Sequence, residues 1–342
     1  MPDDSRPADD PLDVLALGSA LVDVLAHASD EELDKVGLTK GSMALVDLER
    51  SASIYGSMGP GTEVSGGSAA NTAVGVAALG GRAGFLGKVA DDELGEVFLH
   101  DIAASGVLMR RRHVAAPAEG ENGATGRCLV LVTPDGERTM ATHLGVAGTF
   151  ATADLDEDLV ASTQVLYIEG YLWDAPEAKS AIRRAVEVAH AADALVALSL
   201  SDPFCVERHQ REFLGLLHGE VDVLFANEEE VRLLFGAGTF DAAASAVEET
   251  GVLGALTRGA AGSVVVTAQG ATAVPAAPVD AVVDTTGAGD LYAAGFLYGL
   301  THGQDPEQCA RLGGICAGEV ISHLGARPQA DVRALAAAAG LL

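Results

Sequence analysis

Short runs of apolar residues alternate along the chain with longer segments in which apolar and polar residues recur at helical spacing. The apolar runs have the length of buried strands, and segments such as 177–191 and 241–250 have the length of surface helices. Strands that alternate with helices predict a mostly parallel sheet covered by helices on both faces. The strand candidates are 14–18, 165–168, 195–198, 223–226, 263–266 and 281–283.

Two segments interrupt this alternation. Residues 19–47 and 124–143 are polar and β-prone, and Pro134-Asp135-Gly136 in the second segment predicts a hairpin turn. We expect both segments to lie near the functional site. Residues 1–10 are acidic and lack the apolar stretch of a secretory signal, which predicts a disordered tail before a single domain over 11–342.

The acidic composition narrows the possible partners. A net charge of −28 argues against binding to nucleic acid or to anionic membranes, which requires basic patches, and no apolar run is long enough to span a bilayer. Only four of the 21 basic residues are lysines. This balance suggests adaptation to high salt, although a GC-rich genome alone would also favour arginine. Equal activity and equal melting temperature in low salt and in molar KCl would contradict the salt hypothesis.

The four cysteines, Cys128, Cys205, Cys309 and Cys316, lack the spacing of a metal site. Reduced and mostly buried thiols are typical of a cytoplasmic protein, so we predict a cytoplasmic location.

The segment 284–290, Asp-Thr-Thr-Gly-Ala-Gly-Asp, carries the strongest chemical signal. Small residues at Gly287, Ala288 and Gly289 allow backbone amides to point into one space at the start of a predicted helix, which favours phosphate binding. Asp290 then falls in the first helical turn, where its carboxylate could take a proton from an attacking hydroxyl. The alternative is a glycine turn that ends in a helix-capping aspartate.

This segment resembles the ATP-binding signature of the ribokinase-like (PfkB-type) carbohydrate kinases. Residues 64–73, 227–230 and 257–262 resemble further signatures of that family in the same order, and the match runs from about Leu12 to Pro328. Within the family the sequence is most similar to adenosine kinases. The resemblance implies a three-layer α/β/α fold with a mostly parallel central sheet and a small β-sheet lid that closes over the substrate.

The resemblance also implies a substrate site. Its residues are Asp23, Leu21, Gly66, Gly67, Asn71 and Tyr171. A carboxylate at Asp23 suits ribose hydroxyls, and apolar Leu21 suits a nucleobase better than a free sugar. The two glycines would let the backbone approach a sugar, Asn71 would bind hydroxyls, and Tyr171 would stack on the base. Each of these last three assignments has an alternative. The glycines would serve tight strand–helix packing, Asn71 would be an amide on a helix surface, and Tyr171 would be a core tyrosine. Ser19 departs from the asparagine common in adenosine kinases, which puts one substrate contact in doubt.

On the nucleotide side, the resemblance implies that Asn227 and Glu230 organise Mg²⁺ through water, that Asp284 helps to hold a monovalent cation such as K⁺, and that lid residue Arg138 neutralises the transferring phosphoryl group. Two of these assignments have a plainer alternative: a helix cap for Asn227, and a surface ion pair with Glu137 or Asp135 for Arg138. The implied ATP-binding residues are Asn227, Thr257, Gly259, Gly262, Thr286 and His323. Hairpin geometry would explain the glycines equally well, and a helix-end position would explain His323.

These observations predict an ATP-dependent kinase that phosphorylates the 5′-hydroxyl of a purine nucleoside, most simply adenosine to AMP. The alternatives are a kinase for ribose, fructose or a related sugar, a kinase for inosine or guanosine, and a non-catalytic nucleoside sensor. A dinucleotide dehydrogenase is set aside, because no Gly-x-Gly-x-x-Gly follows the first strand. Both a monomer and a homodimer fit the sequence.

Overall fold

The computed structural model describes residues 11–110, 114–115 and 123–342, so the predicted tail at 1–10 lies outside the described residues. The strands are β1 Leu12–Leu17, β2 Leu21–His27, β3 Met43–Leu45, β4 Thr62–Gly66, β5 Ala83–Leu86, β6 Val89–Ala90, β7 Val114–Ala115, β8 Gly126–Val132, β9 Arg138–His143, β10 Thr163–Glu169, β11 Leu195–Ser199, β12 Val223–Asn227, β13 Leu253–Thr257, β14 Ser263–Thr267 and β15 Gly270–Val274.

The helices are α1 Asp30–Val36, α2 Leu48–Ser57, α3 Ser68–Ala78, α4 Glu93–Ala104, α5 Glu157–Ala161, α6 Pro176–Ala191, α7 Pro203–Leu216, α8 Glu228–Phe235, α9 Phe240–Thr250, α10 Ala288–Thr301, α11 Pro306–Val320 and α12 Val332–Ala338. Of the helices in the described ranges, none is both long enough and apolar enough to cross a membrane.

The central sheet has eight strands in the order β15-β14-β13-β12-β11-β10-β1-β5. All neighbours from β5 to β13 are parallel, whereas β14 and β15 pair antiparallel at one edge. This confirms the predicted α/β class with a mostly parallel sheet. The strand predicted at 263–266 is β14, and it runs antiparallel because the five residues after β13 are too few for a crossover.

The strand predicted at 281–283 is wrong. These residues pair with no described strand, and Val282 is 59% exposed. The amide of Val283 instead donates to the carbonyl of Ile321, just after α11, at 2.8 Å. The glycine turn at Gly287 therefore follows an extended surface segment that is tied to a helix end, and not a strand of the sheet.

Alternate residues of the central strands enter two separate apolar layers. Leu15 and Leu17 of β1 pack in the layer that contains Ile182 of α6. Val14, on the opposite face of the same strand, packs in the layer that contains Phe296 of α10. Burial on both faces explains why the strands appear in the sequence as continuous apolar runs. The result is the three-layer α/β/α arrangement expected from the sequence.

A second, smaller sheet has the order β3-β9-β8-β2-β4. The segments 19–47 and 124–143 contribute four of its strands, and the β8–β9 hairpin turns at Gly136, whose φ is +83°. On its outer face, Val24 and Leu129 pack against Leu33 of α1 and Ile54 of α2. Helices of the same chain therefore cover this face.

We predict that Gly295→Ala destabilises the contact between α10 and α11. A Cβ on Gly295 would lie 2.7 Å from the Cα of Gly313 and 2.7 Å from the carbonyl oxygen of Leu312, and backbone atoms cannot move aside cheaply. The expected loss is about 1–3 kcal/mol of the free energy of unfolding, since overpacking outweighs the higher helix propensity of alanine. Urea denaturation measures this loss.

The matched control is Gly314→Ala on α11. A Cβ there would meet only the amide nitrogen of Ala277 at 3.8 Å, which is an ordinary contact. This variant should be as stable as the wild type or slightly more stable. Equal stability of the Gly295 and Gly314 variants would contradict the proposed role of the helix contact.

Candidate active site

Several strands end at one edge of the central sheet, and the predicted site residues gather there. β1, β10, β12 and β13 belong to the parallel part of the sheet, so their carboxyl ends face the same side. Glu169, Asn227 and Thr257 are the last residues of β10, β12 and β13. Asp23 lies on β2, shortly after β1. Ligands of parallel sheets bind outside this edge.

The turn before α10 has a shape that depends on its glycines. Gly287 has a φ of +77°, and a Cβ on it would lie 2.8 Å from the Cα of Ala326, so a larger residue does not fit. A Cβ on Gly289 would meet no heavy atom within 4 Å, so this residue borders open space. The amide of Ala288 donates to the carbonyl of Thr285 at 3.2 Å and is already engaged in the turn. The open space and the helix N-terminus together suit an anion.

Asp290 lies in the first turn of α10, and α3 holds both of its carboxylate oxygens. The hydroxyl of Ser68 donates to Oδ1 at 2.6 Å, and the side-chain amide of Asn71 donates to Oδ2 at 3.0 Å. Asn71 is only 4% exposed, so it is not a helix-surface amide. Burial raises the pKa of Asp290, and the bonds from Ser68 and Asn71 oppose this rise. A fixed carboxylate with a raised pKa is suited to act as a general base.

Gly66 and Gly67 are required by contacts within the protein. A Cβ on Gly66 would lie 2.2 Å from Oδ2 of Asp23, so the carboxylate of Asp23 rests directly on this glycine. Gly67 has a φ of +95°, and a Cβ there would lie 2.3 Å from the carbonyl oxygen of Ser19. The glycines therefore let β4, α3 and the β1–β2 loop meet tightly beside Asp23, in agreement with the packing alternative, and they leave a sugar contact possible.

Asp23 is surrounded by charges of both signs. Burial raises the pKa of Asp23 to about 7, the positive charges of Arg327 and Arg138 lower it, and the negative charge of Asp290 raises it. These four charged groups therefore lie close enough to one another to interact. Asp290 comes from α10 and Arg138 comes from the smaller sheet, and we call the region between Asp23, Arg138, Asp290 and Arg327 the crevice.

Arg138 reaches across this crevice. Its Nη2 donates to Oδ2 of Asp284, and the two side chains are 9% and 2% exposed. The amides of Thr286 and Gly325 also donate to Asp284, at 3.0 and 2.8 Å. The predicted alternative, a surface ion pair with Glu137 or Asp135, is not the arrangement found, because Arg138 pairs with Asp284 and Asp135 pairs with Lys40. The smaller sheet is thereby joined to the turn that precedes α10.

This ion pair bears on the monovalent-cation hypothesis for Asp284. Its carboxylate already has a cationic partner in Arg138, so these contacts give the K⁺ hypothesis no support. The hypothesis stays a prediction, which replacement of KCl by choline chloride in an activity assay would test.

Asn227 and Glu230 form a reciprocal cap at the start of α8. The amide of Glu230 donates to the side-chain oxygen of Asn227 at 2.9 Å, and the amide of Asn227 donates to Oε2 of Glu230 at 2.9 Å. Burial raises the pKa of Glu230 to about 7. No group of three or more His, Cys, Asp or Glu side chains suited to a metal occurs among the described residues. The role of the pair in organising Mg²⁺ through water stays a prediction.

The turn after β13 has the geometry of a tight hairpin. Gly259 and Gly262 have φ values of +54° and +88°. A Cβ on Gly262 would lie 2.1 Å from the carbonyl oxygen of Val274, so hairpin packing alone requires this glycine, whereas a Cβ on Gly259 would meet open space. Thr257, at the end of β13, pairs with Asn227 in the sheet. These residues therefore share the edge where Asn227 caps its helix.

His323 belongs to a polar cluster at the end of α11. Its Nε2 lies 3.1 Å from Oε1 of Glu319, and the same oxygen accepts from the amides of Gln329 and Ala330. The cluster ties the segment after α11 to that helix. The helix-end alternative thus accounts for His323 without a ligand, and its predicted ATP contact stays a prediction.

Tyr171 lies just after β10 and is half-buried against the core. Its backbone amide donates to the hydroxyl of Ser201 at 3.3 Å. Burial raises its pKa well above the usual value, and the negative charges of Asp202, Asp290 and Glu230 add to this effect. Tyr171 therefore packs against the core, in agreement with the alternative, and its predicted stacking on a base stays a prediction.

Glu169 is a site residue that the sequence analysis missed. It is 1% exposed, and its carboxylate accepts from the amides of Ser19 at 2.6 Å and Ala69 at 2.9 Å. Burial raises its pKa to about 7, although these hydrogen bonds oppose the rise. Glu169 fastens the β1–β2 loop to the first turn of α3, the helix that holds Asp290. The sequence offered one indication of this role, since Glu169 is a charged residue directly after the apolar run 165–168.

These raised pKa values predict a pH dependence of stability. Asp23, Glu169 and Glu230 have pKa values of about 7 in the folded state and near 4 when unfolded. The folded protein therefore binds more protons between these values, and its stability falls as the pH rises toward 7 and levels off above it. We expect a lower melting temperature at pH 8 than at pH 5.5 for the ligand-free protein.

The variant Glu169→Gln tests the source of this slope. It removes one of the three titrating groups, so the fall in melting temperature between pH 5.5 and pH 8 should become smaller, even if the variant is less stable at both pH values. Glu177→Gln, at an exposed position on α6, is the control and should keep the wild-type slope. A wild-type melting temperature that rises with pH over this range would contradict the prediction.

Comparison with known proteins agrees with this geometry. The model of the pfkB family of carbohydrate kinases matches residues 30–333. Adenosine kinase of Saccharomyces cerevisiae is 31% identical over 338 residues, which cover 91% of this chain and 95% of the yeast protein.

Two solved structures are similar over nearly the whole chain. Adenosine kinase from Sinorhizobium meliloti is 46% identical, with a TM-score of 0.91, and the match covers 96% of this chain and 99% of that one. A protein named as a probable sugar kinase from Rhizobium etli is 42% identical, also with a TM-score of 0.91, and covers 97% of this chain and 100% of its own. The chain therefore belongs to the pfkB family of carbohydrate kinases and is a phosphotransferase with an alcohol group as acceptor.

Proposed function

We propose that the protein transfers the γ-phosphoryl group of ATP to the 5′-hydroxyl of a purine nucleoside, with adenosine as the preferred acceptor and AMP as the product. The observation that carries the proposal is the position of Asp290. Its carboxylate is fixed by Ser68 and Asn71 at the start of α10, beside a glycine turn suited to phosphate and within the electrostatic range of Asp23.

In the proposed reaction Asp290 takes the proton of the 5′-hydroxyl while the hydroxyl oxygen attacks the γ-phosphorus. The new oxygen–phosphorus bond forms as the bond to ADP breaks, and ADP leaves with that electron pair. The N-terminal end of α10 and the amides beside Gly289 stabilise the charge on the transferring group. Mg²⁺, held through water near Asn227 and Glu230, would supply further charge neutralisation on the phosphates.

The face of the smaller sheet that carries Asp23 supports a nucleoside over a free sugar. Leu21 and Leu25 follow the same side of β2 as Asp23, because alternate residues of a strand share a face. Next to Leu25, the side chains of Cys128 and Val130 form an apolar cluster. An apolar wall beside a carboxylate fits a molecule with a flat base and a hydroxylated ribose.

A sugar kinase is the second candidate, because the Rhizobium etli relative carries the name of a probable sugar kinase. It would use Asp290 and the glycine turn in the same way. A kinase for inosine or guanosine would differ only in contacts to the base. A non-catalytic sensor is disfavoured, because it would not need the hydrogen-bonded carboxylate of Asp290.

The test is release of ADP with ATP, Mg²⁺ and KCl across adenosine, inosine, guanosine, cytidine, ribose and fructose. Turnover with adenosine at micromolar concentration, with the free sugars inert, would support the proposal. Turnover with a free sugar alone would overturn the nucleoside assignment and leave the role of Asp290 intact.

We also propose a cytoplasmic location, because the four cysteines are buried free thiols and form no disulfide among the described residues. The oligomeric state stays open between a monomer and a homodimer. Light scattering of the purified protein would decide between them.

A further inference from the structure

Arg327 is a half-buried cation whose guanidinium has no matching anion among the described residues. Its Nη2 is inaccessible to solvent and has no hydrogen-bond acceptor among the described residues. Within that same part of the chain it forms no ion pair, although the charges of Asp101 and Asp23 act on it from a longer range. Its Nε makes one long contact, 3.5 Å, with Oδ1 of Asn71. A charged nitrogen that is buried without an acceptor is costly unless an anion binds to it at some stage.

The chain around Arg327 is fastened to the phosphate-binding turn. The amide of Gly325 donates to Asp284, and Ala326 packs on the Cα of Gly287 so closely that no Cβ fits between them. Arg327 therefore extends from a segment that is held against the start of α10. On its other side, Arg327 contacts Asn71, whose amide donates to Asp290. The guanidinium thus lies between the proposed phosphoryl site and the carboxylates of the acceptor site.

We propose that Arg327 binds the transferring phosphoryl group and then the 5′-phosphate of the product, as a second arginine beside Arg138. This inference rests on the proposed phosphoryl transfer. The two arginines would approach the phosphoryl group from different elements, Arg138 from the smaller sheet and Arg327 from the segment after α11. A planar guanidinium presents paired donors that match the oxygens of a phosphoryl group. In the ligand-free protein Nη2 of Arg138 is bound to Asp284, whereas Nη2 of Arg327 has no acceptor among the described residues.

The plainer role for Arg327 is to support the acceptor site by keeping Asp23 ionised and Asn71 in place. The two roles predict different kinetics for Arg327→Gln. If Arg327 binds phosphoryl oxygens, kcat falls about 100-fold, the inhibition constant of AMP rises about tenfold, and the dissociation constant of adenosine changes less than threefold. If it supports the acceptor site, adenosine binding weakens and becomes more pH-dependent near neutral pH, while kcat is retained.

Arg333→Gln is the matched control. Arg333 is exposed, lies six residues along the same C-terminal region and donates to the carbonyl of Leu79, away from the crevice. Its kcat and its affinities should equal those of the wild type. Arg327→Lys keeps the charge but loses the paired donors, so it should recover part of the lost kcat. If Arg327→Gln does not fold, the same kinetic constants are compared between Arg327→Lys and the wild type.

The experiment separates this inference from the proposed function. Each variant is assayed with the acceptor that the wild type prefers in the panel above, and the corresponding phosphorylated product serves as the inhibitor. A wild type that prefers a sugar would contradict the nucleoside proposal, and the Arg327 comparison would then be made with that sugar. If the wild type phosphorylates none of the acceptors, inorganic phosphate becomes the probe: it should raise the melting temperature of the wild type and not that of Arg327→Gln. Unchanged kcat, or equal stabilisation by phosphate, would overturn the inference.

Discussion

Asp290→Asn is expected to lower kcat about 1,000-fold while adenosine still binds with nearly wild-type affinity. The variant keeps the shape of the side chain but cannot accept the proton of the attacking hydroxyl, and a general base contributes about 10²–10⁴-fold to such a reaction. Ser68 can still donate to the amide oxygen, so the start of α10 should stay in place. Single-turnover kinetics and calorimetric titration with adenosine measure the two quantities separately.

The pH profile sharpens this test. Burial raises the pKa of Asp290, so the ionised base is lost as the pH falls through that raised value, and kcat of the wild type should fall with it. The residual activity of Asp290→Asn should lack this dependence on pH, because the titrating base has been removed.

Asp305→Asn is the matched control. Asp305 caps α11 at an exposed position through a bond from the amide of Gln308, and asparagine caps a helix about as well as aspartate. This variant should match the wild type in kcat and in stability. Wild-type turnover by Asp290→Asn, or an equal loss in both variants, would contradict the assigned role.

The sequence predicted most of the fold because the relevant signals are local. Both faces of β1 are buried, so its residues form an apolar run that needs no tertiary information to detect. The direction of a strand depends on its pairing, so the apolar run of β14 alone did not show that it is antiparallel, although a hairpin at Gly259 and Gly262 was one alternative. The run Ala281-Val282-Val283 has the composition of a strand, yet two of its valines are exposed, so composition without alternation or burial was misleading.

Some site residues could likewise be predicted from a local sequence pattern, whereas others depend on contacts between distant parts of the chain. Asp290 and the glycine turn lie in one short segment with a recognisable pattern. Glu169, Arg327 and the partner of Arg138 depend on contacts between residues at least 100 positions apart, such as Arg138 with Asp284. Only the folded chain brings these residues together, and burial then sets their charge interactions. Sequence patterns therefore located the proposed chemistry, and the structure supplied its electrostatic surroundings.

Arg138→Gln should lower kcat about 100- to 1,000-fold with little change in the dissociation constant of adenosine. Removal of one preorganised charge from a phosphoryl-transfer site has effects of this size. In the ligand-free structure Arg138 is bound to Asp284, a carboxylate that is only 2% exposed. The phosphoryl group must therefore compete with Asp284 for the guanidinium, and the variant also leaves a buried carboxylate with one partner fewer. We expect a lower melting temperature in addition to the lower kcat.

Arg127→Gln distinguishes loss of charge in the crevice from general damage to the smaller sheet. Arg127 lies on the same sheet, but its guanidinium donates to Ser51 and covers the ring of Tyr55 on α2, outside the crevice. Its replacement should lower the melting temperature through lost packing and leave kcat within about twofold of the wild type. Asp284→Asn completes the set, because it loosens Arg138 without removing its charge and should retain more activity than Arg138→Gln. If kcat falls equally in the Arg127 and Arg138 variants, the loss of activity comes from damage to the smaller sheet. The charge of Arg138 would then have no specific role in phosphoryl transfer.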